Sequence, residues 1–356
     1  MLKFRRGAVA VAAAAVTVSA VATFIAVGGS ASANASRSAP RKTISQTASL
    51  RAKNVKIGFI SYNIASSGVL LYRTAFLAEA KKYGWSVKYV DTNGNVVNAV
   101  TQVETWISSK QVNVIVNDTI DNASMTAAIH AATAAKIPWF SVSSGWVNGV
   151  TNEVETNEVA NGANFAQNLA SMLGGRGNIL QLDWAALPAV AQQDVGIHSV
   201  FSALYPNIHV VKTIQLKVPG WAQDAYNQVT NFLQSDKNIQ AIIIPWDDFA
   251  ANVVRAVDQA GLGKKIIIGG FDMDPGTTPL LRGHTAFKMT MALNIPAFAV
   301  ATALNIKTYL SGGKVPPITS VPTCLATAQN APARGGLSNK SFWKACYSTP
   351  VRMYEQ

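Results

Sequence analysis

The sequence predicts an exported α/β protein of two domains, and three observations carry that prediction. Short β-branched runs alternate with segments of helical period along residues 55–310. That alternation is the signature of βαβ units, whose crossovers set helices on both faces of a parallel sheet. Beyond residue 53 the chain still has roughly 300 residues, more than one core usually serves. Finally, each strand-like run stops at Ser, Asp or Trp. Ligands of open parallel sheets bind outside the carboxyl ends of the strands, so residues placed there are positioned for recognition.

The first 33 residues read as a secretory signal. Lys3, Arg5 and Arg6 form a positive start, Ala8 to Val27 an apolar stretch, and Ala31-Ser32-Ala33 a small-residue cleavage site. An apolar stretch of 20 residues is long enough to span a bilayer, so a retained anchor is the alternative. Its Ala-rich composition and the Ala-x-Ala that follows favour cleavage near Ala33 and a secreted or periplasmic product. No cysteine follows the stretch to carry a lipid anchor. Residues 34–53 are rich in Ser, Thr and Ala without apolar period, as in a disordered linker.

Strand runs are predicted at 55–61, 112–118, 138–144, 178–184, 241–247 and 266–272. Between the first two, Val69, Tyr72, Phe76, Ala80 and Tyr83 recur at helical spacing and stop at Gly84, a natural C′ residue. Val96, Val100, Val103 and Ile107 make a second helical stripe, and an Ala-rich helix over 122–135 ends before Pro138. A polar break at 145–157 precedes a second series: helix 158–173, strand 178–183, helix 190–203, strand 208–215, helix 222–234, strand 240–245, helix 249–260 and strand 265–271. Strand 286–292 leads through Asn294-Ile295-Pro296 into a helix that ends near Leu310, before Gly312-Gly313. From Pro316 onward no clean period is visible.

The formal charge of +12 falls to +9 without the three signal cations, and no basic stripe with interleaved aromatics appears. Nucleic acid is therefore excluded as a partner. Cys324 and Cys346 enclose 21 residues, and an isolated pair in an exported chain favours a disulfide over two free thiols. His130, His198, His209 and His284 share no metal-ligand spacing. Asp247 and Asp248 with Asp272 and Asp274 lack the loop spacing of a calcium site, and a helix N-terminal pair is the better reading of the first two. There is no nucleophile elbow, phosphate loop or Cys/His pair, so neither an enzyme nor a cofactor is expected.

The IGFIS strand and its helix ending AEAKKYGW, VNVIVND followed by TIDNAS, AAKIPWFSV, QAIIIPWDDFAANVVRAV and, above all, IIIGGFD resemble the ribose-binding-protein family. These are the type I periplasmic sugar-binding proteins, and the resemblance spans about residues 54–320. It implies two Rossmann-like lobes, each a parallel sheet flanked by helices, joined by a three-crossing hinge. One lobe would hold 54–156 plus 294–316, the other 157–293 plus 317–356. It also implies a monomer that captures a small neutral polyhydroxy solute, a sugar or related polyol, and delivers it to the membrane permease of an ABC importer. A sensory receptor of the same fold is the alternative, and a secreted hydrolase a weaker one.

Residue by residue, the resemblance implicates Tyr62, Asn63 and Ser67 after the first strand, and Asp118 at the end of VNVIVND. Ser143 and Ser144 stand where the family often has an Asp-Arg pair, and Gln192-Gln193 where it often has a further Arg. Trp246-Asp247 replaces an Asn-Asp pair, Asp272 is kept, and Asn294 replaces a Gln near the hinge. Trp146, Trp184, Trp221 and Trp246 all fall in or near the strand-end layer, which predicts a site with more aromatic surface than one for ribose. Loss of the Arg fork leaves neutral hydrogen bonding where charge-assisted bonds would stand.

Overall fold

The computed structural model describes residues 54–334 and 336–348; the expected signal (1–33) and linker (34–53) and residues 349–356 of the tail lie outside them. The strands are β1 (Lys56–Ser61), β2 (Ser86–Asp91), β3 (Val114–Asp118), β4 (Trp139–Val142), β5 (Asn152–Glu155), β6 (Arg176–Asp183), β7 (Asn207–Gln215), β8 (Ala241–Ile243), β9 (Ile267–Asp272), β10 (Phe287–Ala292), β11 (Ile318–Ser320) and β12 (Cys324–Thr327). The helices are α1 (Ser67–Lys82), α2 (Val96–Ser108), α3 (Thr126–Ala134), α4 (Glu158–Met172), α5 (Pro188–Leu204), α6 (Trp221–Ser235), α7 (Ala250–Gln259), α8 (Thr277–Arg282), α9 (Ile295–Leu310) and α10 (Lys340–Ser348).

Two six-stranded sheets result, ordered β11-β5-β4-β3-β1-β2 and β12-β10-β9-β8-β6-β7. All pairs are parallel except β12 against β10. The chain crosses between the sheets three times, after β5, after β10 and after β11. In both lobes the order reverses beside the first strand, β1 in one and β6 in the other, which opens a crevice at the carboxyl ends.

Local chemistry accounts for the helix boundaries. Asn95, Asn157 and Asn294 accept from the third backbone N–H beyond them and so cap α2, α4 and α9. α1 buries Val69, Tyr72, Phe76 and Ala80, and Gly84 at φ +70° lets Trp85 N–H reach back to Ala80 O at 3.0 Å. α3 starts four residues later than its Ala-rich pattern suggests, because Asp121 accepts from the backbone N–H groups of Ala123 and Ser124 and spends those residues on a turn.

Some elements depart from expectation. β2 and β5 are not visible as apolar runs: β2 is a half-exposed edge strand, and β5 is four residues whose Asn152 and Glu153 are fully buried. The tail from 317, expected with the second lobe, first adds β11 to the first sheet and only then adds β12 to the second. Beyond it, a disulfide joins Cys324 on β12 to Cys346 on α10. Among the described residues no helix is long and apolar enough to cross a membrane.

Candidate ligand-binding cleft

Between the lobes lies a cavity of about 110 Å³ of space open to the centres of water-sized spheres. One water needs only about 10–15 Å³ by that measure, so there is room for a small solute. Strand ends build its floor: Tyr62 and Asn63 follow β1, Asp118 and Thr119 close β3, Val142 and Ser143 close β4, Trp184 follows β6, Pro245 and Trp246 follow β8, and Asp272 ends β9. Helices close the sides, with Tyr72 from α1, Glu158 from α4, Gln193 from α5, Trp221 from α6 and Phe298 from α9.

The aromatic wall is continuous. Trp246 meets Trp184 at 5.9 Å and Trp221 at 6.0 Å between ring centroids, both steeply inclined, and Tyr62 meets Trp184 at 5.4 Å. On its far side Trp246 packs edge-on against the buried Phe249 at 5.3 Å. Trp246 is 9% exposed and Trp221 8%, so these indoles are both core and wall.

The carboxyls are the polar counterpart. Asp118 accepts from Ser61 Oγ at 2.8 Å and Thr119 Oγ1 at 2.9 Å, while burial lifts its pKa to about 7. Glu158 accepts from Gln193 Nε2 at 2.9 Å and Asn161 Nδ2 at 3.2 Å, and burial raises it as well. Asp272 has no side-chain hydrogen bond within the described protein. Burial first, then the charges of Asp274 and Asp247, push it well above the ordinary carboxylate range. Its backbone sits at φ +93°, followed by Met273 at +58°, and Thr119 and Ser143 at the same sheet ends lie at +64° and +48°. Left-handed non-glycine residues are strained by about 1–3 kcal/mol each and gather where recognition is built.

A profile of the family described as periplasmic binding protein domain matches residues 57–314. The chain belongs to that family. A xylitol-binding protein of Mycolicibacterium smegmatis is 25% identical over 235 residues, 64% of this chain and 65% of that relative, so the match spans just under two thirds of its length. Among solved structures, an ABC transporter solute-binding protein from Agrobacterium vitis with bound allitol superposes with a TM-score of 0.72 at 24% identity, over 78% of this chain and 97% of its own. A 5-methylthioribose transporter solute-binding protein from Thermotoga lettingae, in complex with 5-methylthioribose, gives 0.74 at 20%, over 82% and 92%. These likenesses show the type I periplasmic binding-protein fold with its two α/β lobes. The relatives matched are solute-binding proteins, not enzymes.

Within this periplasmic binding protein, nine of the residues singled out from sequence border the cavity: Tyr62, Asn63, Asp118, Ser143, Trp184, Gln193, Trp221, Trp246 and Asp272. Five do not. Ser67 donates its backbone N–H at 3.1 Å, and its hydroxyl, to Asp248 of the other lobe. Ser144 is fully buried, giving its N–H to Glu153 at 2.7 Å and its hydroxyl to Val142 O at 2.8 Å. Trp146 stands 44% exposed in the loop after β4. Asp247 turns inward to accept from Met273 N–H at 3.0 Å, which fixes the turn that carries Asp272. Asn294 is committed to capping α9 and to Tyr347 Oη at 3.2 Å.

Sequence reasoning missed Tyr72, Thr119, Glu158 and Phe298. Tyr72 belongs to an apolar helical stripe, and Phe298 and Glu158 lie within predicted helices where no strand end marks them out. The one available signal was the polar stretch 151–158, interrupted only by Val154, which leads through the first crossing to Glu158.

Proposed function

We propose that this protein is an extracytoplasmic solute receptor. It captures a small sugar- or polyol-like solute between its lobes and, as a monomer, presents the closed form to the membrane permease of an ABC importer. Cleavage of the signal near Ala33 belongs to the same reading. The observation that carries it is Asp272: a carboxyl at the end of β9, without a hydrogen-bond partner among the described residues, facing a cavity that both lobes wall with aromatics. Carboxylates accept from hydroxyls and indole faces cover the C–H face of a polyol. Support comes from relatives named for xylitol, allitol and 5-methylthioribose.

A thermal-shift screen of sugars and polyols identifies a ligand, since a solute that binds only the native state raises the melting temperature. Calorimetry on Asp272→Ala then tests the site. Affinity should fall by about 1 kcal/mol or more, the net worth of a hydrogen bond to a carboxyl that burial keeps protonated, in a protein that still melts cooperatively. Undiminished affinity in folded Asp272→Ala would remove the basis of the reading.

A further inference from the structure

Among the described residues the carboxyls of this cleft have no counter-ion: its wall carries Asp118, Glu158 and Asp272 but no Lys, Arg or His. The ion pair found among those residues, Lys82–Glu79, reaches none of the three. The neighbouring carboxyls Asp274, Asp247 and Asp248 act on Asp272 in the same sense as burial, against its ionisation. With no cation near, burial keeps these carboxyls protonated, and a neutral polyol leaves them so; a cation in the cleft would let them ionise and pair with it. Buried charge is tolerated when it is paired.

Two further features point to what pairs it. Gln193 is 4% exposed at the cavity wall; its Nε2 is given to Glu158, while its Oε1 meets no donor. A buried acceptor left open asks for a donor from the occupant. The indoles, meanwhile, do not form one flat platform. Trp184 and Trp221 stand at 67° and 70° to Trp246, so several ring faces border one space. A cation within about 6 Å of such faces is attracted by their quadrupoles, most strongly for Trp.

We propose that the solute carries a protonated amine, as in an amino sugar or hydroxylated amine, whose ammonium lies between the Trp184–Trp246–Trp221 corner and the carboxylates of Asp272 and Glu158. The inference rests on the solute-receptor reading and departs from the neutral solute that the family resemblance implies. An ammonium supplies the donor that Gln193 Oε1 lacks and the positive charge that the wall lacks, while hydroxyls on the same solute remain free for Asn63, Ser143 and Asp118.

The test uses matched pairs that differ only in the amine: D-glucitol with 1-amino-1-deoxy-D-glucitol, D-glucose with D-glucosamine, and xylitol with 1-amino-1-deoxyxylitol. Calorimetry at pH 7 on the secreted protein should show at least one amine binding tenfold or more tighter than its neutral partner. That preference should shrink below threefold in Asp272→Asn, which keeps the shape and removes the charge. Neutral members that bind as tightly as their amines overturn the charge inference and leave the receptor reading standing. A preference that survives intact in Asp272→Asn overturns the placement of the ammonium. If no pair binds and no sugar or polyol shifts the melting temperature, the receptor reading falls, and this inference with it.

Discussion

Glu153 is the residue whose chemistry the fold most constrains. It is fully buried on β5, accepting from Ser141 Oγ and from Ser144 N–H, and no ion pair reaches it among the described residues. Burial lifts its pKa from the ordinary 4.5 to about 8. Asp118 goes the same way, to about 7, and Asp274 to about 8. A carboxyl whose folded pKa is raised holds its proton in the native state after the unfolded chain has released it. Stability is therefore greatest below the unfolded pKa and falls as pH rises toward the folded one. The melting temperature of the ligand-free protein should drop steadily between pH 5 and pH 8. Glu153→Gln, which keeps the shape and removes the titration, should flatten the slope; identical slopes in thermal melts across that range would refute the assignment. Trp246 belongs at this scale too. A tryptophan at a strand end can serve as a stacking surface or as plain core, and the structure gives Trp246 one side of each. Trp246→Ala should lower stability by about 3 kcal/mol and weaken ligand binding together, read by melts and calorimetry on the same sample.

Among the elements, α4 and α5 set the cleft's side wall through a close approach that needs glycine on both. A Cβ on Gly162 would stand 2.0 Å from Gln193 O, and one on Gly196 2.0 Å from Val159 O. This contact brings Glu158 of α4 to Gln193 of α5. Gly162→Ala should force the helices apart, destabilise the fold by about 1–3 kcal/mol, as overpacking does, and loosen ligand binding although residue 162 lies off the cavity. Unchanged affinity with lowered stability would show that the wall tolerates the shift. Elements of this kind mark the limit of what the sequence discloses. The buried parallel strands β1, β3, β6, β8 and β9 were legible because burial on both faces demands apolar runs. β2 is an edge and β5 carries buried polar residues, so neither offers such a run. For the same reason the strand-end residues Asp118, Trp246 and Asp272 could be picked out, while Glu158 and Tyr72 could not. Helical period reports only which face is buried, and a cleft between lobes buries its wall as a core does. The side chains of Ser144, Asp247 and Asn294 lie at the expected positions in the chain but turn to nearby backbone instead of the cavity: Ser144 Oγ donates to Val142 O, while Asp247 and Asn294 accept from backbone N–H groups.

For the whole molecule, three crossings hold two lobes that meet across the cleft, and Ser67–Asp248 is a contact made by neither lobe alone. Asp248 comes from a single 3-10 turn, Asp247–Phe249, in the second lobe and accepts from the backbone N–H that opens α1 in the first. A carboxylate at a helix N-terminus is favoured by the unsatisfied N–H groups and the macrodipole there. This bond exists only when the lobes are together, so it biases the equilibrium toward closure without touching the cavity. Three short crossings allow such a change through a few backbone dihedrals while each lobe moves as a rigid body. Since the apparent affinity scales with the fraction of closed protein, Asp248→Ala should weaken binding by the factor in which it depletes that fraction. Scattering supplies the independent measurement. Saturating ligand should reduce the radius of gyration of the wild type. Asp248→Ala should begin more open, need more ligand, and converge on the same compact value at saturation. A wild-type radius of gyration that ligand leaves unchanged would refute closure. A variant that binds normally would show that the cleft residues alone, without this contact, bring the lobes together.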